Sequence, residues 1–273
     1  MNKPLRPIWI ILLLAWSLLP MLWQLLSSFT SPEALVSDQA TLLNRWSLAN
    51  YRDLFATDPP FWRYLFNSTI VATLTTLITL TVAIPAAYGL SRMQERLRKT
   101  VRTFVVGAAL FPYVLLFLAL LELARTFQLG NSLLAIAIPY TALSLPLALL
   151  LLTSAFEALP SELEDAAKLE GLTLALRLRW VMLPLIAPAS ASTAILVFLF
   201  AWNEYPIALT WLSRSDLLTL PVAMARIAGS STYSVPYGTY AAATVLGAIP
   251  LLLLVLVFQR QIISGLTNGA IKG

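Results

Sequence analysis

The sequence predicts an all-α polytopic membrane protein with six transmembrane helices, and three observations carry that expectation. Of 273 residues, 59% are hydrophobic and 11% charged. A soluble domain carries about 25% charged residues, so this chain cannot cover a water-facing exterior. The mean hydropathy is +0.79, and the apolar residues gather into six runs, at about 20 residues per crossing. Spread along the chain, 17 prolines read better as kinks in membrane helices than as disorder, because neighbouring helices re-satisfy the backbone groups a proline frees.

The first run, Ile8 to Leu26, follows Lys3 and Arg6. It is longer than the 7–15 residues or so of a cleaved leader's apolar region, so it reads as a span. The polar stretch from Ser28 to Arg63 reads as a loop with short amphipathic helices. Phe66 to Leu90 forms the second span, with the basic cluster Arg92, Arg96, Arg98, Lys99 and Arg102 after it. The third span covers about 103–123 and the fourth about 133–156, the latter interrupted by Pro139 and Pro146. A polar, acidic segment, 157–180, leads to the fifth span at about 181–212, broken by Pro184, Pro188 and Pro206. The last span is expected at 239–263, and the whole of 1–273 reads as a single transmembrane domain.

With the N-terminus inside, twelve of the 18 Lys and Arg fall in inner segments and six in outer ones. Basic charge near helix ends sets topology, so both termini are expected in the cytoplasm. That bias also accounts for the net charge of +5 without a nucleic-acid partner; the lipid bilayer is the expected surrounding. The absence of Cys and His excludes disulfides, thiolate nucleophiles and the commonest general base and metal ligand, so no catalytic or metal site is expected.

The most informative stretch lies between spans four and five. Ser161 and Glu164 have the spacing of a capping box just after Pro160. Glu162, Glu164 and Asp165 stand in the first turn, where the helix dipole favours acids. Ala166 and Ala167 offer a small surface, Gly171 suits a left-handed helix stop, and Thr173 can open a second short helix that ends in Arg177 and Arg179. A short helix lying across the membrane surface and fixed to two spans would convert a partner's movement into movement of the spans.

The run Glu164-Asp165-Ala166-Ala167-Lys168-Leu169-Glu170-Gly171-Leu172, followed by Leu183-Pro184 and Pro188, resembles the EAA motif of ABC importer permeases. It departs from the usual motif at Asp165, Glu170 and Leu172; the first two keep the charge. Asn50-Tyr51-Arg52-Asp53-Leu54-Phe55, Ala86 to Arg92, Trp202-Asn203-Glu204-Tyr205, Thr219 to Val222 and the tail from Gly265 are similar to carbohydrate-uptake permeases. Together they are similar to the second permease subunit of maltose and trehalose importers.

The resemblance implies a type I ABC importer permease fold with a cytoplasmic coupling helix between spans four and five. It implies a second homologous permease subunit, an ATPase dimer holding ATP and Mg, and an extracytoplasmic sugar-binding protein. By the same resemblance Glu164, Asp165, Ala166, Ala167, Glu170, Gly171, Leu172 and Pro184 couple to the ATPase. Asn268, Gly269 and Lys272 belong to an ATPase-facing tail, and the loop from Ser213 to Gly238 meets the binding protein. No cofactor is expected on this chain, which lacks the Gly-x-x-x-x-Gly-Lys-Ser/Thr loop and must draw on ATP bound elsewhere.

Inside the spans, Trp202, Asn203, Glu204 and Tyr205 are candidates for a gate or for the sugar pathway, since a carboxylate at membrane depth needs a partner or a cavity. Helix packing near the outer interface is the simpler role for them. Glu122 and Arg125 have the spacing of an intrahelical pair. Asn67, Ser68, Thr69 and Thr73 have that of a stripe bonding across helices, whereas Thr141 and Ser144 stand between two prolines. Two function classes follow. One is a permease subunit of an ATP-driven, binding-protein-dependent importer of an α-glucoside or disaccharide such as maltose or trehalose. The other is a proton-coupled carrier or channel that uses Glu122 and Glu204 without an ATPase.

Overall fold

The computed structural model describes residues 5–30, 46–229 and 236–270, with side chains at all of these except 5–8, 117 and 260–270. Among the described residues there are helices and one isolated antiparallel bridge, Thr30 to Trp46, but no strand. Four helices are long and apolar enough to cross a membrane, or up to six crossings if each of two bent pairs is one span.

The four are α1 (Leu5–Ser28), α3 (Phe61–Ser91), α6 (Leu133–Glu157) and α12 (Tyr237–Ala270). All are longer than the sequence suggests, because polar turns at their ends continue the helical backbone. The expected third span, 103–123, is instead a bent pair. Helix α4 (Glu95–Leu110) takes in much of the basic cluster, and a segment starting at Tyr113 and ending in α5 (Phe117–Thr126) leaves it at 80°. Pro112 is the cause: Phe111 before it is extended (φ −67°, ψ 129°), as a residue preceding proline prefers.

The expected fifth span, 181–212, is bent as well, and it lies earlier in the chain, at 174–203. Helix α8 (Leu174–Leu185) meets α9 (Ala187–Asn203) at 81°. Pro188 has no N–H to continue the ladder to the carbonyl of Pro184. Beyond Asn203 the chain breaks at Glu204 (φ −68°, ψ 128°), and α10 (Pro206–Trp211) restarts from Pro206 as a separate helix.

The chain divides into two compact units. The first comprises residues 1–65 and 219–251. Here α2 (Ala49–Ala56) carries the buried Asn50, whose amide donates to the carbonyls of Ser28 (3.0 Å) and Thr30 (2.8 Å) at the end of α1. Tyr51 bonds Ser28 at 2.8 Å and packs on Phe29. Gly238 faces Asn50 so closely that a Cβ would stand 2.6 Å from its amide, which explains a glycine there. Helix α11 (Leu220–Ala228) completes the described part.

The second unit comprises residues 66–218 and 252–273. Its core joins Ala83, Ala87 and Tyr88 of α3 to Ala148, Leu152 and Phe156 of α6, Met182 and Ile186 at the α8 end, and Val197 of α9. Helices α4 and α9 pack on α6, and the short helix α7 (Ser161–Leu169) packs on α8. Ala83 and Ala87 of α3 and Ala148 of α6 are the small members of this core, the residue type at which membrane helices associate without a hydrophobic driving force.

Candidate functional site: the surface helix α7

Helix α7 starts directly after Pro160, which suits the entry to a helix because its missing N–H is needed by no ladder bond. The capping box expected of Ser161 and Glu164 does not form: no side chain caps the helix, and the Glu164 carboxylate is drawn to other partners. Thr173 likewise makes no side-chain cap. The stop at Gly171 does form as the sequence indicates. Gly171 has φ +76°, its N–H bonds the carbonyl of Lys168 (3.0 Å), and the N–H of Leu172 bonds that of Ala167 (3.1 Å). These two bonds are the Schellman pattern, and they fix the length of α7.

The two faces of α7 differ in kind. Glu164 and Ala167 are buried, whereas Glu162, Asp165, Ala166, Lys168 and Glu170 are exposed. Leu169 is 90% exposed and Leu163 40%. Leu163, Ala166 and Leu169, three residues apart, form an apolar strip with acids beside it. A large apolar side chain left that bare is informative only as part of such a patch, and here the patch sits on a rigid, stopped helix. Leu169 is not among the residues expected to couple, although its spacing from Ala166 is a signal for it. Pro184 lies in α8, away from this strip in the chain, and belongs to the bend.

Glu164 is 6% exposed. The Tyr88 hydroxyl donates to its Oε1 at 2.6 Å, Arg92 Nε to its Oε2 at 2.6 Å, and Arg177 Nη1 to Oε1 at 3.2 Å, with Lys168 Nζ 3.5 Å away. Burial pushes this carboxyl up, but the hydrogen bonds from Tyr88 and Arg92 and the charges of Arg92 and Lys168 outweigh it and hold it below the ordinary carboxylate range. Arg177 opens a π-helical stretch, Arg177–Met182, a local widening that often accompanies functional positions. Arg98 and Arg102 of α4 approach Glu157 at 3.4 and 3.9 Å. With Lys99 on Glu95 at 2.7 Å and Arg92 on Glu164, four members of the basic cluster are engaged by acids of this chain.

The residues placed together by sequence at the fifth span divide in the structure. Trp202 is 3% exposed and stacks on Phe198 at 5.7 Å, and the exposed Asn203 donates back to the carbonyl of Leu199 at 2.8 Å. Glu204 is 3% exposed. Its Oε1 accepts the N–H of Ile207 (2.9 Å), and its Oε2 accepts that of Ala208 (3.2 Å) and the Tyr140 hydroxyl. It closes the first turn of α10 across the break, while Tyr205 is half-buried at the hinge. Asn67 bonds a loop backbone: its amide donates to the carbonyls of Asp216 (3.0 Å) and Leu218 (2.9 Å). Asn131 holds the other end of that loop by accepting the N–H groups of Ser213 (2.8 Å) and Arg214 (2.9 Å). Ser144 bonds the carbonyl of Tyr140 at 2.8 Å. Glu122 and Arg125 are both exposed, and among the described residues no ion pair joins them. The helix α12 runs through Asn268 and Gly269, but their surroundings, and Lys272 altogether, lie outside the described residues.

Among the described residues no cluster of acids suits a metal ion. What the geometry offers is mechanical: a stopped surface helix with one face locked inward and one bare, joined to α6 on one side and to the bent pair α8–α9 on the other. A family model described as "Binding-protein-dependent transport system inner membrane component" matches residues 79–268. The chain is 38% identical over 273 residues to the sulfoquinovosyl glycerol transport system permease protein SmoH of Agrobacterium fabrum, covering 100% of this chain and 95% of that protein. It is 36% identical to the trehalose transport system permease protein SugB of Mycobacterium tuberculosis (96% and 95% covered). To the trehalose/maltose transport system permease protein MalG of Thermococcus litoralis it is 37% identical (94% and 92%). A crystal structure of a bacterial ABC transporter involved in alginate import contains a chain of like fold, with TM-score 0.78, 20% identity, and 95% and 98% coverage.

Proposed function

The chain belongs to the binding-protein-dependent transport system inner membrane components, and from that premise we propose that it forms half of the pathway of an ATP-driven sugar importer, with α7 as the element that receives the ATPase. The observation that carries this reading is the split character of α7: Leu169 stands 90% exposed on a face fringed by acids, while Glu164 behind it is 6% exposed and fully engaged. An apolar strip of that size on a rigid helix fits a cleft in a partner protein, and the acids on its edge favour a basic rim there.

The reading extends to a second homologous permease, an ATPase dimer that binds ATP and Mg, and an extracytoplasmic sugar-binding protein, with both termini cytoplasmic. ATP hydrolysis belongs to the partner, since this chain has no P-loop sequence. The loop 213–218, pinned at its ends by Asn131 and Asn67, is a preformed platform for the binding protein. The relatives named for trehalose, trehalose/maltose and sulfoquinovosyl glycerol transport all concern carbohydrate derivatives. An α-linked disaccharide or related glucoside, trehalose or maltose first, is the cargo we propose.

The test is transport by the complete complex in proteoliposomes. Uptake of labelled trehalose, maltose or sulfoquinovosyl glycerol that requires both enclosed ATP and the binding protein is the expected result. Uptake driven by a proton gradient without ATP would instead support a carrier. The structure gives Glu204 a different task from proton exchange, since both its oxygens take part in closing α10.

A further inference from the structure

Glu164 lies in the segment expected to face the ATPase, yet its side chain turns away from the bare face of α7. At 6% exposure it cannot touch a partner chain while α7 stays folded. Its partners come from elements distant in sequence: Tyr88 and Arg92 at the C-terminal end of α3 and Arg177 in α8. The grip is braced from behind. Tyr88 packs edge-on against Phe156 at 5.5 Å, and the Arg92 guanidinium stands over the Tyr88 ring at 5.7 Å. Seven residues earlier Glu157, at the end of α6, faces Arg98 and Arg102 of α4. The carboxylates on either side of the α6–α7 link are therefore both held by arginines from the α3–α4 elbow.

Covalently, α7 is attached to α6 and α8 alone. Resting on the reading of α7 as the ATPase-receiving helix, we propose that Glu164 is a positioning residue that ties α7 to α3, so that displacement of α7 is delivered to the second membrane helix directly as well as through the chain to α6 and α8. A carboxylate suits this joint better than an amide. It accepts from two cations and a hydroxyl at once, and charge-assisted bonds are short and directional. Glutamine at this position would offer one acceptor oxygen and, in either orientation, turn an NH2 donor toward one of the two arginines.

The experiment compares the wild-type complex with Glu164→Gln, Arg92→Ala and Tyr88→Phe in proteoliposomes, measuring sugar transported per ATP hydrolysed alongside the amount of ATPase that co-purifies. The expected result is full co-purification with transport per ATP reduced at least about tenfold for Glu164→Gln, the lower end of what one charge-assisted hydrogen bond contributes. Arg92→Ala should behave in the same way and Tyr88→Phe more mildly. Glu164→Asp, which keeps the charge, should recover part of the loss. An unchanged transport-to-ATP ratio would overturn the proposal, and so would loss of the ATPase itself, which would make Glu164 a docking residue. Where Glu164→Gln does not accumulate in the membrane, Tyr88→Phe decides by the same ratio, since it removes one hydroxyl and no charge. Failure of the wild-type chain to retain any ATPase would be a failure of the importer reading and not of the joint.

Discussion

Replacing Leu169 by alanine separates docking from folding, because the side chain has almost no neighbours to lose in this chain. At 90% exposure its truncation should cost the fold less than about 0.5 kcal/mol, the usual range for surface substitutions. Helix propensity does not oppose the change either, alanine being the better helix former. If the strip Leu163–Ala166–Leu169 is buried against the ATPase, the three carbons removed were worth about 0.8 kcal/mol each, or roughly 2 kcal/mol in total. That corresponds to a ~30-fold weaker attachment. The assay titrates ATPase against the membrane complex held in nanodiscs and follows thermal unfolding of the same sample. A ~30-fold rise in Kd with an unchanged Tm is the expected pair of results. An unchanged Kd would refute the docking face, and a Tm that falls in step with affinity would mean that Leu169 packs within its own chain.

Three further predictions test the surrounding structure. Gly171 has φ +76°, and a Cβ there would meet nothing within 4 Å, so Gly171→Val should cost about 1–2 kcal/mol through backbone strain alone and weaken ATPase attachment, whereas Gly171→Asn should cost far less; equal effects would point to a lost contact instead. Tyr140→Phe removes one partner of Glu204 and should destabilise the complex by about 1.5–3 kcal/mol, while Glu204→Gln should change gating and basal ATP hydrolysis with the subunits still assembled, as read by co-purification and ATPase rate. Acid should release α7 late. The Glu164 carboxyl, faced by Tyr88, Arg92, Arg177 and Lys168, is held below the ordinary range, so its contribution is present above the unfolded value and is lost only as pH falls through the lowered folded value. Hydrogen exchange of α7 should therefore stay slow from neutral into mildly acidic solution; protection lost near neutrality would contradict that assignment.

Features that depend on local composition are legible in the sequence. Apolar length locates the crossings, Gly171 marks the end of α7, and Pro206 marks the restart at α10, since each acts through its own backbone preferences. The break in the fifth span is legible too, since Pro184, Pro188 and Pro206 mark it. The 80° and 81° sizes of the bends and the bend at Pro112 are not, because a proline in a membrane helix either kinks it or is absorbed. The role of Glu164 is out of reach for a different reason. Its spacing from Ser161 satisfies a local rule, while the competing partners, Tyr88 and Arg92, lie 76 and 72 residues away and offer two strong bonds against one cap. Asn67 and Asn131 likewise act on backbone carbonyls and N–H groups of a loop that no periodicity ties to them. The charge count of the basic cluster is plain from the sequence, but its engagement with Glu157 and Glu164 is not.

The central claim is that this chain works as one half of an ATPase-coupled importer, and its most direct test is purification of the tagged chain from its native membrane in mild detergent, followed by mass spectrometry of what accompanies it. A second permease and an ATPase should come along in fixed proportion, both retained by Glu164→Gln and the ATPase depleted by Leu169→Ala. Recovery of the chain alone, or as a homo-oligomer that conducts ions or protons, would contradict it.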